Sequence, residues 1–165
     1  MKADNRQRMS NARLAAVQAL YLYDLGDNTA DEIMLSFITG QLGSQVIEEN
    51  PETGEEKFVN IAHSDEPLFK KIFKYAVDNQ KQIDEIISSS LSSDWPEERL
   101  EMVLKAILRS GISEMYKRTE VDAPIIICEY VDIASSFYNQ GPESRLVNAV
   151  LDRVAKIIKP QTTDK

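Results

Sequence analysis

The amino-acid sequence predicts an all-α fold, a compact bundle of about seven helices, and three observations carry that expectation. Apolar residues recur at three- and four-residue spacings along most of the chain. No stretch sustains the alternation that a half-buried strand requires. The 165 residues, 42% hydrophobic and 28% charged, suffice for one globular unit with a sizeable core and are unlike the composition of a disordered chain.

The first helix is read from Leu14 to Leu25. It is apolar almost all round, as befits a helix surrounded by others, and Gly26 ends it. A second helix is expected from Thr29 to Leu42, with Ile33, Phe37 and Ile38, or Ile33, Met34 and Phe37, on one side and Gly43 beyond its end. Residues 43–66 hold Asn50-Pro51, Thr53-Gly54 and five glutamates in the first fourteen positions, which are turn and loop signals. This segment reads as an acidic loop with a short ordered piece at Phe58 to Ile61.

Helical spacing returns with Phe69, Ile72, Phe73 and Ala76, and continues through Ile83, Ile86, Ile87 and Leu91. Asp94-Trp95-Pro96-Glu97 reads as a helix start, Asp94 capping and Glu97 at the capping-box position, with the helix running to about Lys117. Its inward residues include Leu104, Ile107, Gly111 and Met115. Asp122 is expected to cap the next helix, with Pro124 in its first turn. The last helix starts near Pro142 and ends before Pro160, with Val147, Val150, Leu151, Val154, Ile157 and Ile158 inward. Arg145, Asn148, Asp152, Lys156 and Lys159 line its opposite face.

A net charge of -8 argues against a phosphate-binding protein only until the charge is located. Residues 27–66 carry ten acidic side chains and one basic one. Residues 1–26 carry four basic and two acidic, and from Arg145 onward five basic side chains face two acidic ones. Both ends are basic, and the acidity belongs to the segment between them.

Catalytic constellations are hard to assemble. His63, the one histidine, falls in the acidic segment, and Cys128, the one cysteine, falls within an apolar helix and reads as a buried structural thiol. Neither GxGxxG nor GxxxxGK[ST] occurs. The glutamates of the acidic segment lack the order of a calcium loop, and one His with one Cys does not supply a metal site. No catalysis, cofactor or metal is therefore expected. The polar N-terminus, the unpaired cysteine and the lack of a bilayer-length apolar run point to a cytoplasmic setting without membrane insertion.

The basic ends are the remaining chemistry. Lys2, Arg6, Arg8 and Arg13 lead into the first helix, Arg6 and Arg13 sharing a face if the helix extends back that far. Tyr21 falls on roughly the same side and is open to two readings, a ring for base stacking or a core aromatic.

Taken together, these segments resemble the transcription antitermination factor NusB family. ARLAAVQALYLYDL (Ala12 to Leu25) is similar to that family's opening, LKAILRSGISEMYKRTEV (Leu104 to Val121) to its long fifth helix, and ESRLVNAVLDRVAK (Glu143 to Lys156) to its closing signature. The resemblance covers roughly half the chain. It implies a single NusB-like domain over 1–165 with two small helical subdomains, here 1–93 including the acidic loop 43–66, and 94–160. It also implies a non-catalytic protein that binds the boxA element of nascent ribosomal RNA together with NusE, the small-subunit ribosomal protein, in an antitermination assembly on RNA polymerase.

Carried over by position, the RNA contacts fall on Lys2, Arg6, Arg8 and Arg13, on Gln18 and Tyr21 of the first helix, on Phe137, and on Arg145 opening the last helix. Arginines of a disordered arm can follow phosphates, the rings can stack on unpaired bases, and Gln18 can bond a base edge. Asn148 is instead expected to hold neighbouring backbone. Met9, Ser10 and Asn11 stand where the family has arginines, and Leu146 and Ala149 where its closing motif has Phe and Gly. These departures keep a second reading in view, a protein-interaction scaffold with weak or lost RNA binding. A third is the related module of ribosomal RNA cytosine methyltransferases, disfavoured because the chain has no SAM-binding glycine loop. The sequence leaves self-association into a homodimer open.

Overall fold

The computed structural model describes residues 2–39, 45–49, 56–60, 64–139 and 141–158, with side chains over 4–39, 64–139 and 141–158. Among the described residues there are seven α-helices: α1 (Lys2–Leu25), α2 (Ala30–Ile38), α3 (Glu66–Asp78), α4 (Gln80–Ser90), α5 (Met102–Lys117), α6 (Ala123–Tyr138) and α7 (Pro142–Ile158). The all-α expectation holds with one addition. Strands β1 (Gln45–Glu49) and β2 (Glu56–Asn60) pair antiparallel within the segment read as a loop, with Ile47 opposite Phe58. The turn signals at 50–54 fall between the two strands in sequence, and five-residue strands are too short to announce themselves by alternation. Gly43, Ile61 and His63 lie outside the described residues.

The chain divides into two compact units, Met1–Lys70 and Lys71–Lys165, whereas the sequence expectation placed its boundary at 93/94. The difference has a packing cause: α4 packs against α5 and α7, which draws it into the later unit.

In the first unit, α1 buries small residues, Ala12, Ala15, Ala16 and Ala19, beside Val17 and Leu20. It ends at Gly26, whose φ of +86° is left-handed, and nothing lies within 4 Å of a Cβ built there. Glycine is needed at this position for its backbone conformation rather than for space. Thr29 and Glu32 form a reciprocal capping box at the start of α2, Thr29 Oγ1 accepting from the Glu32 N–H and Glu32 Oε1 from the Thr29 N–H. Phe37 of α2 stacks on Phe69, centroids 5.3 Å apart. Asp65 caps α3 by accepting the Leu68 N–H at 3.1 Å, and its own N–H donates to the Arg8 carbonyl at 2.9 Å.

In the second unit, α5 is buried from Ala106 to Met115 and packs against α4, α6 and α7. The core joins Ile107, Leu108 and Ile112 with Ile126, Tyr130 and Ala134 of α6 and Val147, Val150, Leu151 and Val154 of α7, whereas Ile157 in the last turn of α7, expected inward, is 71% exposed. Gly111 permits the α5 to α7 approach: a Cβ there would lie 2.9 Å from Leu151 Cδ1. The helix start expected at Asp94 is displaced. Residues Glu97–Arg99 form a 3-10 turn, Glu97 accepts from the Ser88 hydroxyl at 2.8 Å instead of closing a capping box, and α5 begins at Met102. Asp122 occupies the cap position of α6 without a side-chain cap bond.

Candidate nucleic-acid interface

The predicted site residues fall on two elements, described separately because they belong to different units. On α1 the basic segment is helical from Lys2 onward, which corrects the expectation of a disordered arm. Arg6 is exposed and Arg8 half-buried, while the side chain of Lys2 lies outside the described residues. Seven residues is nearly two helical turns, so Arg6 and Arg13 share a face. Their environments nevertheless differ, because Arg13 retains only 3% of its exposure. A buried guanidinium is expensive unless bonded, and Arg13 does interact with its surroundings. It is a built-in cation rather than the free one the sequence suggested. Gln18 and Tyr21 are half-buried, leaving part of an amide and part of a ring accessible on the same helix.

The second element is the corner between α6 and α7. Phe137 lies in the last turn of α6 and is 46% exposed, which excludes core packing as its role. Arg145 is exposed in the first turns of α7. Between them Asn139 adopts φ 59° and ψ -163°, a region costly for any side chain and typical of functional or sharply turned sites. The turn is braced by Ser144, whose hydroxyl bonds the Asn139 carbonyl at 3.1 Å and lies 3.0 Å from the Ser135 hydroxyl.

The corner is not uniformly positive. Burial pushes the Tyr138 phenol up to about 12, assisted by the Glu101 and Glu143 carboxylates. The corner therefore carries an open ring, a guanidinium and the two carboxylates that act on Tyr138, a mixture that favours a small number of defined contacts over diffuse phosphate attraction.

Two expectations are corrected by exposure. Cys128, expected as a buried thiol, is exposed on α6. Asn148, expected to hold backbone, is exposed on α7 and makes no side-chain hydrogen bond among the described residues. Its place one turn beyond Arg145 was legible in the sequence; its freedom was not. Among the described residues no group of three His, Cys, Asp or Glu side chains is placed to hold a metal ion, and no helix is long and apolar enough to cross a membrane.

Comparison with known proteins places this geometry. The chain is 42% identical over 160 residues to the transcription antitermination protein NusB of Rhodospirillum rubrum, covering 93% of this chain and 86% of that one. It is 40% identical to that of Mesorhizobium japonicum, covering 93% and 92%. The fold matches a crystal structure of antitermination factors NusB and NusE in complex with dsRNA, at TM-score 0.65 and 24% identity, over 90% of this chain and 96% of that one. It also matches T. maritima NusB at TM-score 0.64 and 24% identity, over 89% of each. The NusB family model matches residues 10–156, and the chain belongs to the NusB family.

Proposed function

We propose that this chain is a non-catalytic, cytoplasmic transcription antitermination factor that binds boxA-type RNA together with NusE and joins an antitermination complex on RNA polymerase. Its relatives carry the antitermination name at about 40% identity over nearly the whole chain. The observation that carries the RNA-binding part is the α6–α7 corner, where an aromatic ring with 46% exposure sits on the turn that leads to the exposed Arg145. Burying a phenylalanine is favourable by about 1.5–3 kcal/mol, so a ring left open on the turn that leads to a cation suits stacking on an unpaired base while the guanidinium takes a phosphate. The outer part of α1 contributes Lys2, Arg6 and Arg8 as further phosphate partners, with Gln18 and Tyr21 available to bases.

Binding of a single-stranded boxA-like RNA, measured with and without NusE at two salt concentrations, tests this reading. Enhancement by NusE and weaker binding at higher salt are the expected results. Absence of RNA binding in both conditions favours the scaffold reading, for which the few cations preceding Ala12 and the acidic segment 43–66 are the supporting observations.

A further inference from the structure

Asn148 lies on the exposed face of α7, three residues beyond Arg145, on a helix whose inward side is Val147, Val150 and Leu151. Asparagine is a poor helix former, and here it is exposed and its side chain bonds no backbone among the described residues. At 3.6 residues per turn Arg145, Asn148 and Asp152 fall within a sector of about 60°, Arg145 and Asn148 about 4.5 Å apart along the axis. Helical side chains lean toward the helix N-terminus, so both residues lean toward the corner that exposes Phe137.

We propose that Asn148 reads the edge of an unpaired RNA base held at this corner, a role that rests on the RNA-binding reading above. The amide offers a carbonyl acceptor and an NH2 donor side by side, which matches the adjacent donor and acceptor groups of a base edge. Arg145 supplies the phosphate contact and Phe137 the stacking surface, and neither distinguishes one base from another as an amide does. A protein-docking helix face would instead place apolar anchors at three- and four-residue spacings, and here those positions hold Arg145, Asn148, Ala149 and Asp152.

Asp152 marks the far boundary. Its carboxylate is 57% exposed and pairs with Lys156 at 3.4 Å, so the next turn of α7 carries an ion pair with no net positive charge to continue a phosphate path. The footprint on α7 is therefore limited to its first two turns.

The test uses the full chain, a boxA-like single-stranded RNA and a panel carrying one base substitution at a time, with Asn148→Ala, Arg145→Ala and Asp152→Asn. Because the amide is uncharged, Asn148→Ala is expected to lose roughly tenfold in affinity for the preferred RNA without changing the salt slope, and to lose discrimination at one base position. Arg145→Ala is expected to weaken binding to every RNA and to flatten the log–log salt slope by about 0.7. Asp152→Asn is expected to tighten binding across the whole panel. If the parent binds RNA and Asn148→Ala discriminates bases as the parent does, the assignment of Asn148 is overturned while the functional reading stands. If Asn148→Ala weakens only NusE binding, it is overturned in favour of a protein contact. If the parent binds no RNA with or without NusE, both fall.

Discussion

The Tyr130 hydroxyl donates to Glu114 Oε1 at 2.8 Å, deep between α6 and α5, where both residues have no exposed surface. The second carboxylate oxygen of Glu114 accepts from Arg118 at 2.8 Å. A carboxylate taken out of water must recover its lost hydration from fixed donors, and α5 and α6 are tied together at the point where it does so. Tyr130→Phe removes one donor and leaves the Arg118 contact. It is expected to cost about 1–3 kcal/mol in urea unfolding; an unchanged midpoint would show that the hydroxyl is not needed.

Gly111 predicts a packing penalty. A methyl group there meets Leu151 Cδ1 at 2.9 Å and Tyr130 Cδ2 at 3.4 Å, and Leu151 is fully buried. Overpacking costs about 1–3 kcal/mol, of which the better helix propensity of alanine returns about 1 kcal/mol. Gly111→Ala is therefore expected to be net destabilising, and less so in a Leu151→Ala background. A double-mutant cycle with no coupling would refute the contact.

Two ion pairs of the second unit are expected to differ in worth. Arg109 is clamped by Asp84 through two bonds at 2.8 and 2.9 Å, with 5% of the guanidinium side chain and 39% of the carboxylate side chain exposed. Lys74 and Asp78 lie 3.9 Å apart and are both exposed. Asp84→Ala leaves a buried cation short of its bidentate partner and is expected to cost about 2 kcal/mol, below the roughly 3–5 kcal/mol of a fully buried pair because Asp84 is partly solvated. Asp78→Ala is expected to cost no more than about 0.5 kcal/mol. Chemical denaturation of the two variants checks the ranking.

Alkaline stability reports on the corner. Burial, then Glu101, then Glu143, raise the folded-state Tyr138 phenol from 10.0 to about 12. A raised folded value means that its contribution to stability is complete below about pH 10 and is lost as pH climbs through about 12. The parent is expected to lose melting temperature more steeply than Tyr138→Phe between those pH values. Tyr75, raised by burial and by Tyr116, is present in both proteins and cancels in the difference. Parallel curves would overturn the prediction.

Exposure separates the arginines. Arg145→Ala and Phe137→Ala remove exposed groups and are expected to weaken RNA binding with melting temperatures close to that of the parent. Arg13 is buried, so Arg13→Ala is expected to lose about 2 kcal/mol of stability along with any RNA affinity. Thermal melting beside RNA titration distinguishes the two classes. An Arg13→Ala protein as stable as the parent would place this guanidinium outside the folded framework.

Much of this protein was decided by the sequence alone. Three- and four-residue apolar spacing determined that the chain is helical and which side of α7 turns inward as far as Val154, Gly26 determined where α1 stops, and the closing ESRLVNAVLDRVAK segment carried the family. Local periodicity is physical information about one element's own faces, and it survives folding because a helix buries its apolar face wherever that face finds a partner. What covers a given position depends on residues far away in the chain, and there tertiary structure decided. It buried Arg13 and left Phe137, Cys128 and Asn148 exposed. It replaced the helix start at Asp94 with a 3-10 turn held by Ser88, and paired β1 with β2 in a segment whose local signals were its turn residues and a short ordered piece at Phe58 to Ile61. The Arg109–Asp84 clamp spans 25 positions and the Tyr130–Glu114 bond 16. Those partners met only through helix packing, because no helical period links residues that lie on different helices.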